Sequence, residues 1–190
     1  MATVEFIAIL VSIVVGLAMA EVLQGFADAL RHRSSVRGYW PLMVYAALTL
    51  TMAIWTLRWL WLAEDLEVWT WGALALALAP GLLIFLMARM TFPQQLQGSN
   101  LQAYYFEHSR VLWGLAAVFV SLAALRITTL GAFAAQSETS TSALILRSGA
   151  FLLCIVLAVS KRQRVHEIGL GVAIVLMIAR IATSYVAFGA

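Results

Sequence analysis

Charged residues are scarce in this chain: Asp, Glu, Lys and Arg make up 11% of its 190 residues, against about one quarter in an ordinary soluble domain. Hydrophobic residues make up 63%, and the mean hydropathy is +0.94. A soluble fold of this size has too much surface relative to its core to bury so much apolar material. The composition therefore excludes an ordinary soluble domain and makes lipid the solvent for much of the chain.

Lysine, cysteine and the common catalytic motifs are equally scarce. Lys161 stands in a polar connection, so no lysine lies within an apolar segment to form a retinal Schiff base. Cys154 is the one cysteine, which excludes an internal disulfide or a paired-cysteine site. No Walker loop or Gly-x-Ser-x-Gly element occurs, and His32, His108 and His166 lack the spacing of metal ligands. We therefore expect no cofactor, no metal site and no enzymatic activity.

Six apolar segments come close to the length of about 20 residues that a spanning helix needs. They cover residues 6–28, 39–62, 68–90, 111–130, 143–160 and 168–188. We predict an all-α integral membrane protein, a six-transmembrane-helix bundle that forms a single domain over residues 1–190. Asn100 is the predicted cap of a short interfacial helix before the fourth segment.

The connections between these segments differ in charge. Those after the first, third and fifth segments, counted together with the last turn of the third segment, contain eight of the 12 basic residues: Arg31, Arg33, Arg37, Arg89, Arg110, Lys161, Arg162 and Arg164. Those after the second and fourth contain only acidic charges: Glu64, Asp65, Glu67 and Glu138. Because cytoplasmic loops carry the excess of Lys and Arg, the basic side is predicted to be cytoplasmic and both termini extracytoplasmic. The net charge of +3 therefore needs no nucleic-acid partner.

Tryptophan is concentrated around the acidic connection. Five of the seven Trp residues flank it: Trp55, Trp59, Trp61, Trp69 and Trp71. Trp is enriched at membrane–water interfaces, where its ring sits at the headgroup level. We interpret these residues as an aromatic belt at the outer interface rather than as a stacking site for a ligand.

Apart from Asp28 and Arg89, which stand at the very ends of their segments, five charged residues fall inside the predicted spans: Glu21, Arg58, Arg126, Arg147 and Arg180. Such residues usually face a partner or water, since a charge at mid-bilayer costs at least about 2.5–3.5 kcal/mol. Counted at about 1.5 Å per residue, Glu21 lies at a height close to Arg147 and Arg180, so we predict a buried ion pair with one of them. Three alternatives remain. In the first, Glu21 borders a water-filled vestibule as a proton or cation site. In the second, the arginines snorkel to headgroups or pair with the acidic connection. In the third, the arginines converge on a phosphate or carboxylate, unless they point in different directions.

Two further features mark candidate sites. Pro80 and Gly81, in the middle of the third segment, predict a helix kink, which lines binding sites in transporters but is also common in ordinary spans. The predicted inner interface carries Tyr104, Tyr105, His108 and Arg110. This run either contacts an anionic headgroup or a partner, or anchors the fourth helix.

Several short sequence elements in the first two-thirds of the chain together form a recognisable pattern. They are the run 11–17, Leu23, Gly25, Leu30, Arg31, Tyr39, Trp40, Phe92, Pro93, Tyr104, Tyr105, Phe106, His108, Arg110, Trp113 and Gly114. In these elements the chain resembles small six-span bacterial inner-membrane proteins of no assigned activity. The resemblance implies that the protein lies in a bacterial inner (cytoplasmic) membrane. It implies no activity.

Three hypotheses of function follow from these features. We predict a small channel or transporter component in which Glu21, Arg147 and Arg180 line a polar path. The alternative is a non-transporting scaffold or accessory subunit of a larger complex, in which the same charges stabilise the bundle. The third is a lipid enzyme that acts through His108 and Arg110. A bundle of 20.8 kDa has few helices to enclose a pathway, so the expected partners are lipid and a second copy or another membrane protein.

Overall fold

The computed structural model describes residues 3–62, 70–96, 98–130 and 141–186, which form six helices and no strand. The helices are α1 (Thr3–Arg31), α2 (Trp40–Leu62), α3 (Trp71–Thr91), α4 (Leu101–Leu130), α5 (Thr141–Val159) and α6 (Gln163–Val186). The predicted all-α architecture is confirmed for this part of the chain. Within it, five helices are long and apolar enough to cross a membrane, and the apolar stretch of α5, Ala143–Val159, is shorter.

The observed helix bounds agree with the predicted apolar segments for those helices that stay within the apolar sequence. α2 and α5 agree with the predicted segments to within two residues. α4 begins ten residues earlier than predicted, because Asn100 Oδ1 accepts hydrogen bonds from the backbone N–H groups of Gln102 (3.1 Å) and Ala103 (3.3 Å) and so caps the helix. The interfacial helix predicted as a separate element is therefore the first part of α4.

α1 and α4 are longer than the apolar layer of a bilayer is thick. They contain 29 and 30 residues, which extend roughly 43–45 Å against about 30 Å for the hydrocarbon core. A helix of this length that crosses a membrane projects beyond that layer. A depth counted from the last residue of α1 consequently overstates how deeply Glu21 is embedded.

The helices pack in a ring in the order α1, α3, α4, α5, α6 and α2, and α2 also contacts α3 and α4. α2 accordingly has a buried face, which includes Leu42, Tyr45, Ala46, Thr49, Ala53 and Thr56. α5 and α6 instead expose large apolar side chains such as Ile155, Val175 and Ile178. Exposed apolar faces of this extent mark contact with membrane or protein, and here they agree with a lipid surround.

One end of the bundle, which we call the basic end, carries the connections 32–39, 92–100 and 160–162. Two backbone hydrogen bonds of 3.2 Å join the first two connections: Arg37 N–H donates to the carbonyl of Ser99, and Leu101 N–H donates to the carbonyl of Arg37. Gln102 Nε2 also donates to Gln163 Oε1 at 3.0 Å, which links α4 to α6. The basic end is therefore one connected polar layer.

Pro80 and Gly81 lie inside α3 without ending it, since the helix continues to Thr91. Both are buried, and a Cβ added at Gly81 would lie 3.6 Å from the side chains of Val14 and Val15 in α1. The pair thus forms a close contact between α3 and α1. α3 does not open at this position, and a kink there stays a prediction.

Candidate functional site

Glu21 pairs with Arg89 of α3. Nη1 of Arg89 lies 3.0 Å from both carboxylate oxygens of Glu21. The predicted ion pair with Arg147 or Arg180 is therefore wrong. The reason is the packing order: α1 lies against α3 and α2, so its carboxylate reaches the last turn of α3 and not the arginines of α5 and α6.

The Glu21–Arg89 pair borders an open groove of about 500 Å³, which we call the polar groove. The other polar side chains along it are Gln24, Asp28, His32, Gln94 and Gln95. The side chain of Glu21 is 32% exposed and that of Arg89 is 55% exposed. Glu21 therefore borders an open space, as the vestibule alternative requires, but it does so with a cationic partner beside it.

Three of the four arginines predicted within spans line a second cavity, which we call the arginine cavity. Arg58, Arg147 and Arg180 reach it from α2, α5 and α6, and α4 closes the remaining side. Its volume is about 160 Å³. Arg126 belongs to α4, but its side chain lies outside the described part of the chain. The sequence left open whether these arginines converge or point apart, and the three described ones converge.

Trp55 contacts two of these arginines. The guanidinium carbons of Arg58 and Arg180 lie 5.0 and 4.9 Å from the centre of its ring. The negative face of an indole ring attracts a cation, by about 2 kcal/mol where water is excluded. Trp55 therefore stabilises two positive charges at one wall of the cavity. Trp59 is buried and lines this cavity, so the interpretation as an aromatic belt is wrong for this residue. Trp71, by contrast, is 87% exposed, which agrees with a place in the belt.

Trp113 lines the cavity on the side nearer the basic end and joins a buried hydrogen-bonded chain. Its Nε1–H donates to the hydroxyl of Tyr105 at 2.8 Å, which lies 2.8 Å from Nδ1 of His166. Nε2 of His166 lies 2.9 Å from the carbonyl of Ser160. An indole N–H only donates and a carbonyl only accepts. Every group is satisfied when Tyr105 donates to Nδ1 and a neutral His166 donates from Nε2.

The predicted inner-interface residues divide between the interior and the surface. Tyr105 is fully buried in the chain just described. Tyr104 donates its hydroxyl proton to the carbonyl of Met90 at 2.8 Å and stacks on His108 with ring centres 4.3 Å apart. Arg110 is exposed. These contacts attach the start of α4 to the end of α3, which agrees with the anchoring hypothesis for Tyr104.

Tyr39 lies just before α2, beside Tyr105, with ring centres 5.3 Å apart. Its hydroxyl is buried and has no hydrogen-bond partner among the described residues. Burial, reinforced by the negative charge of Glu167, raises the pKa of Tyr39 to about 12. Tyr39 is therefore a neutral phenol that lacks the compensation Tyr105 receives.

No protein-family model, no curated protein and no solved structure matches this chain. The resemblance to six-span bacterial proteins consequently stays a prediction. The arginine cavity and the polar groove are therefore the features from which we infer the function.

Sequence reasoning missed Arg89 as part of the polar groove and His166 as part of the buried hydrogen-bonded chain. Arg89 was counted among the connection charges, although it stands in the last turn of α3. Tyr105 and His166 are 61 residues apart, and no local pattern links them. One signal was present: Trp55 and Arg58 stand three residues apart, which places them on one helix face.

Proposed function

We propose that this protein is a small channel or transporter component for anions in a bacterial inner membrane. Its anion site is the arginine cavity. The observation that carries the proposal is the convergence of Arg58, Arg147 and Arg180, from three helices, on one space. Arginine within a span is costly and usually faces a partner or a pathway, and its planar fork of donors matches carboxylate, phosphate and sulfonate groups.

The size and lining of the cavity favour a small anion with an apolar body. A cavity near 150 Å³ holds a benzene-sized molecule, and the arginine cavity has about 160 Å³. Away from the arginines its walls are apolar, with Leu48, Phe119, Leu153 and Met177 among them. The charged group of the anion then lies at the guanidinium groups and its apolar body points toward Trp113.

In this proposal the basic end faces the cytoplasm, all six helices span the membrane, and both termini are extracytoplasmic. The support is the positive-inside rule together with exposed Arg33, Arg37, Lys161 and Arg162 at the basic end. The arginine cavity then lies in the half of the bilayer that faces away from the cytoplasm.

Anion binding is testable by thermal unfolding in detergent. Benzenesulfonate at 100 times its dissociation constant would add about 2.7 kcal/mol of stability, and we expect no shift from benzyltrimethylammonium, a cation of similar size. Arg180→Gln should remove most of the shift. Arg110→Gln, an exposed arginine near the basic end, should retain it and serves as the matched control. No anion-dependent shift in the unaltered protein would contradict the proposal.

The scaffold hypothesis is the second candidate, and one observation favours it. The Glu21–Arg89 pair joins α1 to α3 and lies away from the arginine cavity, so at least this charge acts between neighbouring helices. In a scaffold, the variants Arg147→Gln and Arg180→Gln would lower stability without any change in anion dependence. Purification of the protein with a larger complex from native membranes would support this candidate.

A further inference from the structure

The polar groove presents charges of both signs in a fixed order, in the direction in which α1 runs toward the basic end. Leu17 is exposed, Glu21 holds Arg89, and Asp28 stands two turns further toward the basic end. Glu21 and Asp28 are seven residues apart, so they share one face of the helix about 10 Å apart along its axis. An apolar surface, a guanidinium and a carboxylate thus follow one another toward the end of the helix.

We propose that the polar groove binds a lipid with a phosphoethanolamine headgroup. The phosphate lies on Arg89 and the primary ammonium lies on Asp28. Glu21 uses Nη1 of Arg89, and a guanidinium carries five N–H donors, so donors remain for the phosphate. Asp28 Oδ1 accepts from Arg31 at 3.2 Å in a surface pair, and such exposed pairs are weak, so an ammonium can share this carboxylate.

The groove continues into an apolar seam between α1 and α3, which is the reason for proposing a lipid. The exposed apolar residues one and two turns before the ion pair are Ile13, Leu17, Leu82 and Leu86. Residues three or four apart share a helix face, so these side chains stand on the same faces as Glu21 and Arg89. Two acyl chains bound along this seam run into the hydrocarbon layer while the headgroup stays in the groove.

The position of Arg89 agrees with the level of a headgroup. Arg89 lies in the last turn of α3, and Phe92 and Pro93 line the groove where that helix has ended. Proline cannot continue the hydrogen bonding of a helix, so the chain passes from α3 into the connection here. Gln94 and Gln95, which follow, add amide groups to the same groove.

The charges of the groove also distinguish between common headgroups. An ethanolamine ammonium donates three hydrogen bonds, whereas a choline group has no N–H to donate to Asp28. A glycerol headgroup brings a phosphate without a cation, so it adds a negative charge beside the carboxylates of Glu21 and Asp28 and has no ammonium to donate to Asp28. Charge complementarity gives specificity of this kind. We therefore expect ethanolamine lipid to bind in preference to choline and glycerol lipids.

The test is native mass spectrometry of the full chain, released from detergent that contains equal amounts of ethanolamine, choline and glycerol phospholipids with identical acyl chains. Hydrogen bonds to charged groups are strong enough that we expect about tenfold higher retention of the ethanolamine lipid. Arg89→Gln should abolish the preference. Asp28→Asn should weaken it roughly fivefold, and this variant keeps the Glu21–Arg89 pair, so it tests the site without removing a contact between helices.

Two controls make the result decisive. Arg110→Gln removes an exposed arginine outside the groove, and Arg180→Gln alters the arginine cavity; both should leave the lipid preference unchanged, so this proposal and the transport proposal fail independently. Soluble glycerophosphoethanolamine at the same concentration should not displace the lipid, because it lacks acyl chains. Equal retention of the three lipids, an unchanged preference in both groove variants, or displacement by the soluble compound would each overturn the proposal.

Discussion

Nη1 of Arg89 lies 3.0 Å from both carboxylate oxygens of Glu21, so one guanidinium nitrogen joins α3 to α1. Because Glu21 pairs with Arg89, the charged residues within the helices form two separate groups. One group forms the polar groove near the basic end, and the other, Arg58, Arg147 and Arg180, forms the arginine cavity in the opposite half of the bundle. The ion pair between Glu21 and Arg147 or Arg180 that the sequence predicted is therefore not formed, since Glu21 pairs with Arg89.

The ion pair should contribute little to stability. Glu21→Gln or Arg89→Gln is expected to lower the free energy of unfolding by less than about 1 kcal/mol, because both side chains are partly exposed and such pairs are screened. Thermal unfolding in detergent measures this loss. The exchange Glu21→Arg with Arg89→Glu restores opposite charges and should recover the stability. A loss of several kcal/mol from one substitution would mean that the pair is buried in the membrane.

Replacement of Gly25 by alanine should lower stability, whereas replacement of Gly16 should not. A Cβ at Gly25 would collide with the ring of Phe92, whereas nothing lies within 4 Å of a Cβ at Gly16. Gly25→Ala is therefore expected to destabilise the contact between α1 and α3 by about 1–3 kcal/mol, and Gly16→Ala to be neutral or slightly stabilising.

The replacement Phe92→Leu supplies the control for this comparison. It should recover part of the stability lost in Gly25→Ala, because it removes the ring that the methyl group meets. Melting temperatures of the two glycine variants and the double variant, measured in one detergent, give the comparison. Equal effects of Gly16→Ala and Gly25→Ala would contradict the packing described for α1 and the end of α3.

Tyr39 and Tyr105 should respond oppositely to the same change. Tyr105→Phe leaves Trp113 Nε1–H and His166 Nδ1 without their partner, which costs about 1–3 kcal/mol. Tyr39→Phe removes a buried hydroxyl that has no partner in the described part of the chain, so it should be neutral or stabilising. Unfolding of the two variants under one condition measures both signs. Equal destabilisation would show that the Tyr39 hydroxyl is bonded.

The pH dependence of the same variant gives a second readout. The pKa of Tyr39 is about 12 in the folded protein, against 10.0 for a free phenol. The unfolded chain therefore loses this proton first, and the contribution of Tyr39 to stability falls as pH rises from about 10 to 12. Tyr39→Phe should remove that part of the alkaline loss, which a pH series of melting temperatures measures.

The sequence predicts the helical segments well where hydropathy alone decides them. α2 begins within one residue of its predicted start, and Asn100 was recognised as a cap. The extension of α4 over Glu107, His108 and Arg110 was missed, because a helix that projects beyond the bilayer no longer has an apolar signature. Hydropathy also does not predict which faces of the helices pack against each other.

The candidate sites depend on the packing order of the helices, which the sequence does not contain. Arg89 was treated as a connection charge and Glu21 as deeply embedded, since the height of Glu21 was counted from Arg31 at the end of a helix longer than the apolar layer. The ring order that places α1 beside α3, and α2 beside α6, decides which charges meet. The arginines of the cavity were identified individually, and their convergence was one of several open alternatives.

In the function that we propose, the arginine cavity carries small organic anions across the membrane. The most direct test is flux of benzenesulfonate into proteoliposomes, because this anion has no neutral form that leaks through lipid near neutral pH. We predict uptake that saturates, that exceeds uptake of benzyltrimethylammonium, and that falls at least about tenfold in the double variant Arg147→Gln, Arg180→Gln, as expected for loss of charged hydrogen bonds. Arg110→Gln should transport normally. Uptake no faster than in protein-free liposomes, or equal uptake by the double variant with the fold intact, would contradict the account.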